Sequence, residues 1–551
     1  MEHAGSERIA NTLTWQSAVR SDLRVAEGLL DGEEPEGIYG ISHARIVDQF
    51  LLYIEEIGVG AALRALQLKG VKREVIPPEL YVVLYFLRCL ARVPSQEAMP
   101  DLLFADTALM LRMGFSAHQI EFGITQRGSA QRKGERRNAP VDPEAVSKNV
   151  AKLDLQAVRD FAILVMKALW AKQPVVSAKG LFVIDGSFVE PGESTTGRGT
   201  TTRSKPVRTK EGMKTVVEAI FGFKMVWMWS VEAQLPVAVG FGTAEVDERP
   251  FVAGLIEQAN DVLGGRGKIG TLLIDRGFID GPGLWAIHEA GIRFVIPARH
   301  DMNVYDEARL ATTNDVVTHK LHRKSRSRLV KHRPDGGKGK LITEEQTTEA
   351  TGVEGCLSYP SYAPASEMSG KRHKNFYRND FVANGINAVV LTREDGRANF
   401  DLTLLTNGPV NNPLAVLDDY DERSKIENQG HRVLKQDWHL ESPPQRTAKM
   451  TEIHVLFVVV AHGLTQGYRA WLDAQVRLED AGIPQTLGEH VRRIEAENRD
   501  KVIVFCGDSY GIFYTSEFSM LLGRRVRQPN PKGAPDIDAL MARLRAPPPR
   551  A

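Results

Sequence analysis

Two aspartates each end a short apolar run, a placement typical of a ligand site at the edge of a sheet. Asp185 follows the run Leu181–Ile184, and Asp275 follows Leu272–Ile274. A carboxylate directly after a buried strand projects at the carboxyl edge of the sheet, where open α/β sheets bind their ligands. Asp also favours turns, so either residue alone is equally well explained as the start of a turn. Two such residues in one region favour a site.

A third acidic residue, Glu427, lies on a helix predicted from Asn411 to Asp437. Tyr420, Arg423 and Glu427 are spaced i, i+3 and i+7, so they share one face of that helix. An aromatic ring, a cation and an acid do not make an apolar core stripe. The alternative explanation is a solvated face that carries an ordinary Arg–Glu pair.

Three neighbouring carboxylates would suit divalent cations. Mg²⁺ and Mn²⁺ prefer carboxylate, water and phosphate oxygens as ligands. Two such ions about 4 Å apart activate a water or a 3′-hydroxyl and stabilise the leaving oxygen when a phosphodiester is displaced. The chemistry that this pattern indicates is therefore metal-dependent phosphodiester cleavage or transfer.

A polyanionic substrate also needs basic surface close to the metal site. Basic residues are dense at 198–210, 320–340 and 371–378. The window 320–340 contains nine Lys and Arg residues against one Asp, a composition that predicts phosphate binding. A solvated, charged loop is the alternative. The residues proposed for binding here are Arg323, Lys324, Arg326 and Arg328.

The chain as a whole is nearly neutral and has an ordinary globular composition. Its 551 residues include 70 Lys and Arg against 69 Asp and Glu, and 42% are hydrophobic. This composition excludes a wholly disordered, collagenous or coiled-coil chain. The longest apolar run, near Val455–Ala461, is far short of the roughly 20 residues that span a bilayer. No apolar signal segment follows Met1, and three distant cysteines form no disulfide framework, so we expect a cytoplasmic location.

The pattern of apolar residues predicts an α/β fold with additional regions on either side of a mixed sheet. Strands followed by alternating helices and strands indicate a mixed sheet flanked by helices. The predicted regions are a helical N-terminal domain at 1–150, the sheet domain at 175–300 plus 400–475, a polar, β-rich insertion at 301–399, and a C-terminal region at 476–551.

Several local predictions concern the sheet domain. Asp185 is expected to begin a turn out of the first strand, and Thr271–Ile274 is expected to be a buried strand. Gly197–Lys210, rich in Gly, Thr, Arg and Lys, is predicted to be a loop. Val217–Ser230 and Leu235–Gly242 are predicted to form a hairpin.

The acidic residues lie in motifs that resemble those of DDE transposases of bacterial insertion sequences. The motifs are, in order, Val183-Ile184-Asp185-Gly186-Ser187, then Leu273-Ile274-Asp275-Arg276-Gly277-Phe278, then the helix with Tyr420, Arg423 and Glu427. The 152 positions from Asp275 to Glu427 resemble the branch of this family with a large insertion between the second and third acids. The apolar helix predicted at Ile453–Leu464 also resembles one that follows the glutamate in this family.

The resemblance implies a ribonuclease-H-like fold and a DNA transposase activity. Asp185, Asp275 and Glu427 would be the catalytic residues and would hold two Mg²⁺ or Mn²⁺ ions. The implied reaction is cleavage at transposon ends and strand transfer into target DNA. The implied partners are double-stranded DNA, as inverted repeats and as target, and a second copy of the chain in a homodimer. The N-terminal domain would bind DNA ends or dimerise, the protein would be associated with the nucleoid, and no membrane partner is expected.

The resemblance also implies which residues contact DNA. Tyr420 and Arg423 would contact terminal phosphates of the transposon end, and Arg276 would join them. The family's lysine lies seven positions after the glutamate, where this sequence has Leu434, and Lys435 follows. One position on an α-helix rotates a side chain by about 100°. Either the helix carries a local bulge, or the long side chain of Lys435 reaches round.

Two other functions stay open at the level of the sequence. A catalytically silent relic would keep the fold and bind DNA without cutting it, although three intact acids favour an active enzyme. A metal-dependent nuclease without strand transfer would differ only in the fate of the 3′-hydroxyl. The histidines have no recognised metal-ligand spacing and are expected to be structural; they are His431, His439, His454 and His462.

Overall fold

A computed structural model gives the arrangement of most of the chain. The residues that it describes are 19–40, 50, 53–70, 76–106, 109–110, 113–115, 119, 140–172, 180–209, 212–313, 321–332, 340–368, 384–394, 399–479, 496, 499–523 and 536–546. The chain divides into two compact units. One unit is Leu169–Asp437, and the other combines Met1–Ala168 with Trp438–Ala551.

The strands of both units, in chain order, are β1 (Val19–Arg20), β2 (Gly37–Gly40), β3 (Leu181–Val189), β4 (Gly199–Thr209), β5 (Gly212–Ser230), β6 (Pro236–Thr243), β7 (Thr271–Ile274), β8 (Arg293–Pro297), β9 (Leu321–His332), β10 (Lys340–Cys356), β11 (Ile386–Glu394), β12 (Asn399–Thr406), β13 (Lys501–Cys506) and β14 (Ser509–Tyr514).

The α-helices, in the same order, are α1 (Asp22–Leu30), α2 (Val59–Arg64), α3 (Pro78–Leu90), α4 (Met99–Leu102), α5 (Pro143–Val150), α6 (Leu155–Ala171), α7 (Phe251–Val262), α8 (Gly281–Glu289), α9 (Asn303–Ala311), α10 (Ala365–Met368), α11 (Pro413–Asp421), α12 (Arg432–Gln436), α13 (Ala448–Glu479), α14 (Thr515–Leu521) and α15 (Ile537–Arg545). A 3₁₀ turn covers Arg276–Phe278, and a π-helix covers Ile426–His431.

The unit Leu169–Asp437 is built on a ten-stranded mixed sheet. The strand order is β4-β5-β3-β7-β8-β12-β11-β10-β9, and β6 pairs with β5. β3, β7 and β8 are parallel to one another, whereas the other pairings are antiparallel. Parallel neighbours need a crossover, which α8 supplies between β7 and β8. All of β7 is buried, which explains why its sequence is a continuous apolar run. The prediction of a strand at Thr271–Ile274 is confirmed.

The prediction of a loop at Gly197–Lys210 is wrong. β4 occupies most of this segment and pairs with the first half of β5, from Gly199↔Gly222 to Thr209↔Gly212. The segment contains several β-branched Thr and Val residues, which favour a pleated strand, and these outweigh its Gly and charged residues. The predicted hairpin that follows is confirmed as β5 and β6, with β5 beginning earlier, at Gly212.

The prediction of a turn at Asp185 is also wrong, because β3 continues to Val189. The antiparallel ladder with β5 extends along the strand as far as Val189↔Phe223. The parallel ladder with β7 stops at Ile184↔Ile274. Asp185 therefore lies inside a strand, at the position where one of its two neighbouring strands ends.

The polar region 301–399 contributes strands to this same sheet. β9 is an edge strand that pairs with β10 from Leu321↔Thr351 to His332↔Lys340. β11 then joins β10 to β12, and β12 pairs with β8. The basic residues predicted to bind phosphate therefore lie on an edge strand rather than on a loop.

The unit that contains both ends of the chain has a four-stranded sheet and a group of helices. β1 and β2 pair with β14 and β13, so strands from the first 40 residues join strands that begin at Lys501. α1, α14 and α15 contribute Val25, Phe518 and Leu540 to the core beside this sheet. α3 begins at Pro78, a residue type suited to the first turn of a helix.

One helix of this unit is long and apolar. The segment Ala448–Ala474 of α13 has the length and composition needed to cross a membrane, which the run near Val455–Ala461 did not suggest. However, 83% of its most apolar window is buried within the structure. A buried core helix passes the same test, so this feature is weak support for a membrane span.

Candidate active site

Asp185 and Asp275 directly follow the last paired residues of two neighbouring parallel strands, Asp185 within β3 and Asp275 just after β7. Their preceding residues, Ile184 and Ile274, are register partners of β3 and β7. The Asp185 side chain is 13% exposed and that of Asp275 is 39% exposed, so the pair opens toward solvent on the Asp275 side. Asp185 Oδ1 accepts a hydrogen bond of 3.0 Å from the backbone N–H of Gly186. The predicted proximity of the two aspartates is confirmed.

The residues of the third motif come from a helical segment that is not one continuous α-helix. α11 begins at Pro413, where the side chain of Asn412 accepts a hydrogen bond from the N–H of Ala415, and it ends at Asp421. A π-helix then covers Ile426–His431 before α12. The prediction of one helix from Asn411 to Asp437 is therefore wrong.

The guanidinium group of Arg423 lies among three carboxylates. Its Nη2 is 2.9 Å from Glu427 Oε1, and its Nη1 is 3.9 Å from both Asp185 Oδ2 and Asp275 Oδ1. The two aspartate oxygens are thus within about 8 Å of each other, which is compatible with ligands of a two-ion site. The structure brings together all three acids that the sequence singled out, and it does so around one half-buried cation.

Tyr420 packs against this cation. The guanidinium carbon of Arg423 lies 5.8 Å from the centre of the Tyr420 ring. Burial, together with the nearby Asp275 and Asp185, raises the pKa of Tyr420 to about 12, although Arg423 opposes the shift. Burial lowers the pKa of Arg423, but Tyr420 and the three acids outweigh it, so the pKa is raised overall. At neutral pH Tyr420 therefore keeps a hydroxyl that donates, and Arg423 stays charged.

His431 belongs to the site, although the sequence predicted a structural role for it. Its Nε2 lies 3.5 Å from Asp185 Oδ2 and accepts a hydrogen bond of 3.3 Å from Trp227 Nε1. Trp227 is the register partner of Asp185 across β3 and β5. Gly430 allows this packing, because a Cβ there would lie 2.5 Å from Trp227 Cζ2. No spacing rule in the sequence signals His431, because the contact depends on the π-helix.

The π-helix also explains the displaced lysine. Each π turn bonds residue i to i+5, so it takes up one more residue than an α turn. Eight positions from Glu427 to Lys435 then correspond to the seven positions expected in an uninterrupted α-helix. Leu434 is fully buried and Lys435 is half-buried, as expected if the extra residue of the π-helix shifts the face on which Lys435 lies. The structure favours the local bulge over a side chain that reaches round, and the DNA contact of Lys435 stays a prediction.

Among the other residues predicted to bind DNA, the structure describes the side chain of Arg276 but only the backbone of the four residues on β9. Arg276 is exposed in the 3₁₀ turn directly after Asp275. The backbone of Arg323, Lys324, Arg326 and Arg328 lies on β9, but their side chains are outside the part of the chain that the structure describes.

The donor set fits divalent cations of the Mg²⁺ type. In the described residues, no three Asp, Glu, His or Cys side chains are already close enough to hold a metal ion, because Arg423 lies between the acids. All three acids nevertheless contact the same cation, and all are carboxylates, the ligands that Mg²⁺ and Mn²⁺ prefer. The site can therefore bind positive charge at this position, whether that charge is a guanidinium or a metal ion.

A comparison with protein families identifies the family of this chain. The family model described as the transposase DDE domain matches residues 177–464, more than half of the chain. No curated protein matches the chain. Among solved structures, a piggyBac transposase synaptic complex with hairpin DNA is similar, with 10% sequence identity, a TM-score of 0.37, and coverage of 88% of this chain and 83% of that chain. A similarity of that size carries no conclusion about function. The family match, however, shows that this chain belongs to the transposases with a DDE domain.

Proposed function

We propose that this transposase uses divalent metal ions to cleave DNA at transposon ends and to join the 3′-ends to target DNA. The observation that carries the proposal is the convergence of Asp185, Asp275 and Glu427 on one cation, at the point where the ladder between β3 and β7 ends. In this proposal the mixed sheet is ribonuclease-H-like, and the chain comes from a bacterial insertion sequence.

The three carboxylates would hold the metal ions. When bound, two Mg²⁺ or Mn²⁺ ions would lower the pKa of the attacking water or 3′-hydroxyl and stabilise the leaving oxygen. Asp185, within β3 and contacted by His431, is the least exposed of the three acids. Glu427, with 53% of its side chain exposed, is the most exposed, and it would exchange its contact with Arg423 for the ions.

The neighbouring side chains would position the DNA. Arg423 offers a charged fork that matches the oxygens of a phosphate, and it would turn from the carboxylates to the terminal phosphate of the transposon end. The protonated hydroxyl of Tyr420 would donate a hydrogen bond to the same phosphate. Arg276, exposed beside Asp275, would contact the backbone on the open side of the site.

The partners follow from this reaction. Inverted repeats at two transposon ends and one target duplex would be bound by a homodimer, one copy for each end. The basic strand β9 and Lys435 would add phosphate contacts, in a protein that acts in the cytoplasm at the nucleoid.

Replacement of single carboxylates tests the proposal. Asp185→Asn, Asp275→Asn and Glu427→Gln keep size and polarity but remove the negative charge that a divalent ion needs. Each variant should lose cleavage of labelled end DNA in Mg²⁺ or Mn²⁺ while end binding, measured by fluorescence anisotropy, persists. A double variant should be hardly worse than a single one, because the ligands act as a unit. Glu257→Gln, an exposed acid on α7, is the matched control and should cut normally.

The same assay separates the alternatives. A wild-type protein that binds its ends without cutting them would be a silent relic. Cleavage without joining of the 3′-ends to a second duplex would indicate a nuclease. Variants that cut at the wild-type rate would refute the assignment of the three acids.

A further inference from the structure

Glu248 is a fourth carboxylate near Asp275 and the glycines that follow the two aspartates, and neither the motifs nor the three-acid assignment includes it. It lies between β6 and α7, in a segment where Glu245, Asp247 and Arg249 are all exposed. Glu248 alone among these charged residues is half-buried, with 24% of its side chain exposed. Its carboxylate is directed toward Gly186 within β3 and toward Gly277, shortly after β7.

Two glycines of the sequence motifs create the space for this carboxylate. A Cβ at Gly186, the residue after Asp185, would lie 2.8 Å from Glu248 Oε1. A Cβ at Gly277, two residues after Asp275, would lie 3.5 Å from Glu248 Oε2. Any side chain at Gly186 would therefore displace Glu248. The glycines that follow the two aspartates both face the same acid.

Asp275 connects Glu248 to the rest of the site. Its Oδ1 faces Arg423, whereas its Oδ2 lies 3.9 Å from the Cβ position of Gly277, the same point that Glu248 Oε2 approaches. Glu248 Oε2 and Asp275 Oδ2 are therefore within about 8 Å of each other. The same upper limit applies to the distance between the Asp185 and Asp275 oxygens. One oxygen of Asp275 is turned toward the three-acid group and the other toward Glu248.

Glu248 approaches from the opposite face of the sheet to Glu427. Side chains alternate along a strand, so Gly186 faces away from the side that Asp185 and Trp227 share. The two glutamates thus flank the strand ends from both sides. This arrangement suits two separate ions, each with its own glutamate and with Asp275 between them.

Lys224 neutralises Glu248 in the absence of metal. Its Nζ lies 3.2 Å from Glu248 Oε1, donates a hydrogen bond of 2.9 Å to the Val246 carbonyl, and lies 5.2 Å from the centre of the Phe188 ring. Glu248 Oε2 has no hydrogen-bond donor among the described residues. Lys224 contacts the carboxylate of Glu248 in the same way that Arg423 contacts the carboxylates of the three acids.

We propose that Glu248 is a fourth ligand of the divalent-ion site, on the Oδ2 side of Asp275, with Lys224 as its counter-ion in the metal-free protein. The inference rests on the proposed function. Two divalent ions carry four positive charges, which three carboxylates do not balance. Glu248 supplies the fourth negative charge.

The test is direct binding of Mn²⁺ to the full-length protein without DNA, by calorimetry and by the electron paramagnetic resonance signal of free Mn²⁺. Glu248→Gln should weaken binding of one ion about tenfold, as loss of a ligand or its close support usually does. Glu248→Asp should recover part of that loss. Glu245→Gln, three residues away with its carboxylate on the Thr243 hydroxyl, is the matched control and should bind like the wild type.

Lys224→Met provides a second test that keeps Glu248 itself unchanged, in case the Glu248 variants fold poorly. Removal of the competing amine should strengthen Mn²⁺ binding, which a purely structural ion pair would not do. Unchanged binding in Glu248→Gln and Lys224→Met, with weakened binding in Asp275→Asn, would refute the fourth ligand and leave the three-acid site intact. Unchanged binding in Asp275→Asn as well would refute the proposed metal site itself.

Discussion

Arg423 Nη1 lies 3.9 Å from Asp185 Oδ2, so a cation of the protein itself lies among the carboxylates proposed to bind metal ions. Three acids that face one another repel, and the half-buried guanidinium of Arg423 reduces that repulsion in the metal-free protein. Metal ions and Arg423 should therefore compete for the same negative charge. Binding of metal ions to the carboxylates would release Arg423 from them, and the released side chain could then make its proposed contact with the terminal phosphate.

Arg423→Gln should show this competition in the absence of DNA. The variant should be less stable than the wild type in EDTA, because three carboxylates lose their shared partner. It should also gain more from Mn²⁺, because a ligand that binds only the folded state raises the melting temperature more when it binds more tightly. The measurement is the difference in melting temperature between EDTA and Mn²⁺. Arg432→Gln, an exposed position on α12, is the control. Equal differences in the wild type and Arg423→Gln would contradict the competition.

The close packing of Gly430 against Trp227 predicts that an alanine at this position lowers the free energy of unfolding, whereas a control glycine-to-alanine substitution elsewhere should raise it. Gly430→Ala would place a Cβ 2.5 Å from Trp227 Cζ2, and overpacking of a buried site costs about 1–3 kcal/mol. Gly254→Ala, on α7 with open space around its Cβ position, should instead stabilise by about 0.4–1 kcal/mol. Urea unfolding measures both. A neutral Gly430→Ala variant would mean that the π-helix is not held tightly against β5.

The sequence predicted the parts of the site that depend on short-range patterns. The apolar run before Asp275 predicts β7 because a parallel strand is buried on both faces. The helical spacing of Tyr420, Arg423 and Glu427 predicts their common location. The one-position shift of Lys435 left open a local bulge or a side chain that reaches round, and the π-helix at Ile426–His431 is such a bulge.

The parts that the sequence did not reveal depend on contacts between distant residues. His431 reaches Asp185 only through the π-helix, and Glu248 reaches Asp275 from a segment between β6 and α7. The pairing of β1 with β14 joins residues almost 500 positions apart, and neither strand carries a signal for the other. The loop predicted at Gly197–Lys210 is a different kind of miss, because β4 pairs locally with the first half of β5 and its β-branched residues were given too little weight.

The basic strand β9 should contribute to DNA binding through phosphate contacts. Neutralisation of Arg323, Lys324, Arg326 and Arg328 together should weaken binding and make it less dependent on salt, because each lost phosphate contact reduces the slope of log K against log salt by about 0.9. Anisotropy titrations at several salt concentrations give that slope. Arg266→Gln with Lys268→Gln, two exposed cations before β7, is the control. An unchanged slope would mean that β9 is only a charged, solvated edge strand.

Two buried histidines should make the protein sensitive to acid. Burial, reinforced by Arg88, lowers the pKa of His454 to about 3, and burial with Arg92 lowers that of His462 to about 4. His454 Nδ1 lies 2.7 Å from the Tyr85 hydroxyl and its Nε2 3.0 Å from the His439 carbonyl, contacts that a neutral ring satisfies.

The sign of the effect follows from which state binds the proton. Well above pH 6.5 both histidines are neutral in the folded protein and in the unfolded chain, so the two states bind the same number of protons at these residues. As the pH falls from 6.5 toward 4, the unfolded chain binds protons that the folded protein excludes, so stability is lost. At pH 5 each histidine should account for about 2 kcal/mol of that loss.

The variant His454→Gln with His462→Asn tests this effect. The free energy of unfolding in urea should fall less between pH 7.5 and pH 5 in the variant than in the wild type, by about 4 kcal/mol for the two residues together. Carboxylates titrate in both proteins, so the difference between the two pH responses isolates the histidines. Parallel pH responses would mean that both rings become protonated inside the folded protein at pH 5, and that the lowered pKa values are wrong.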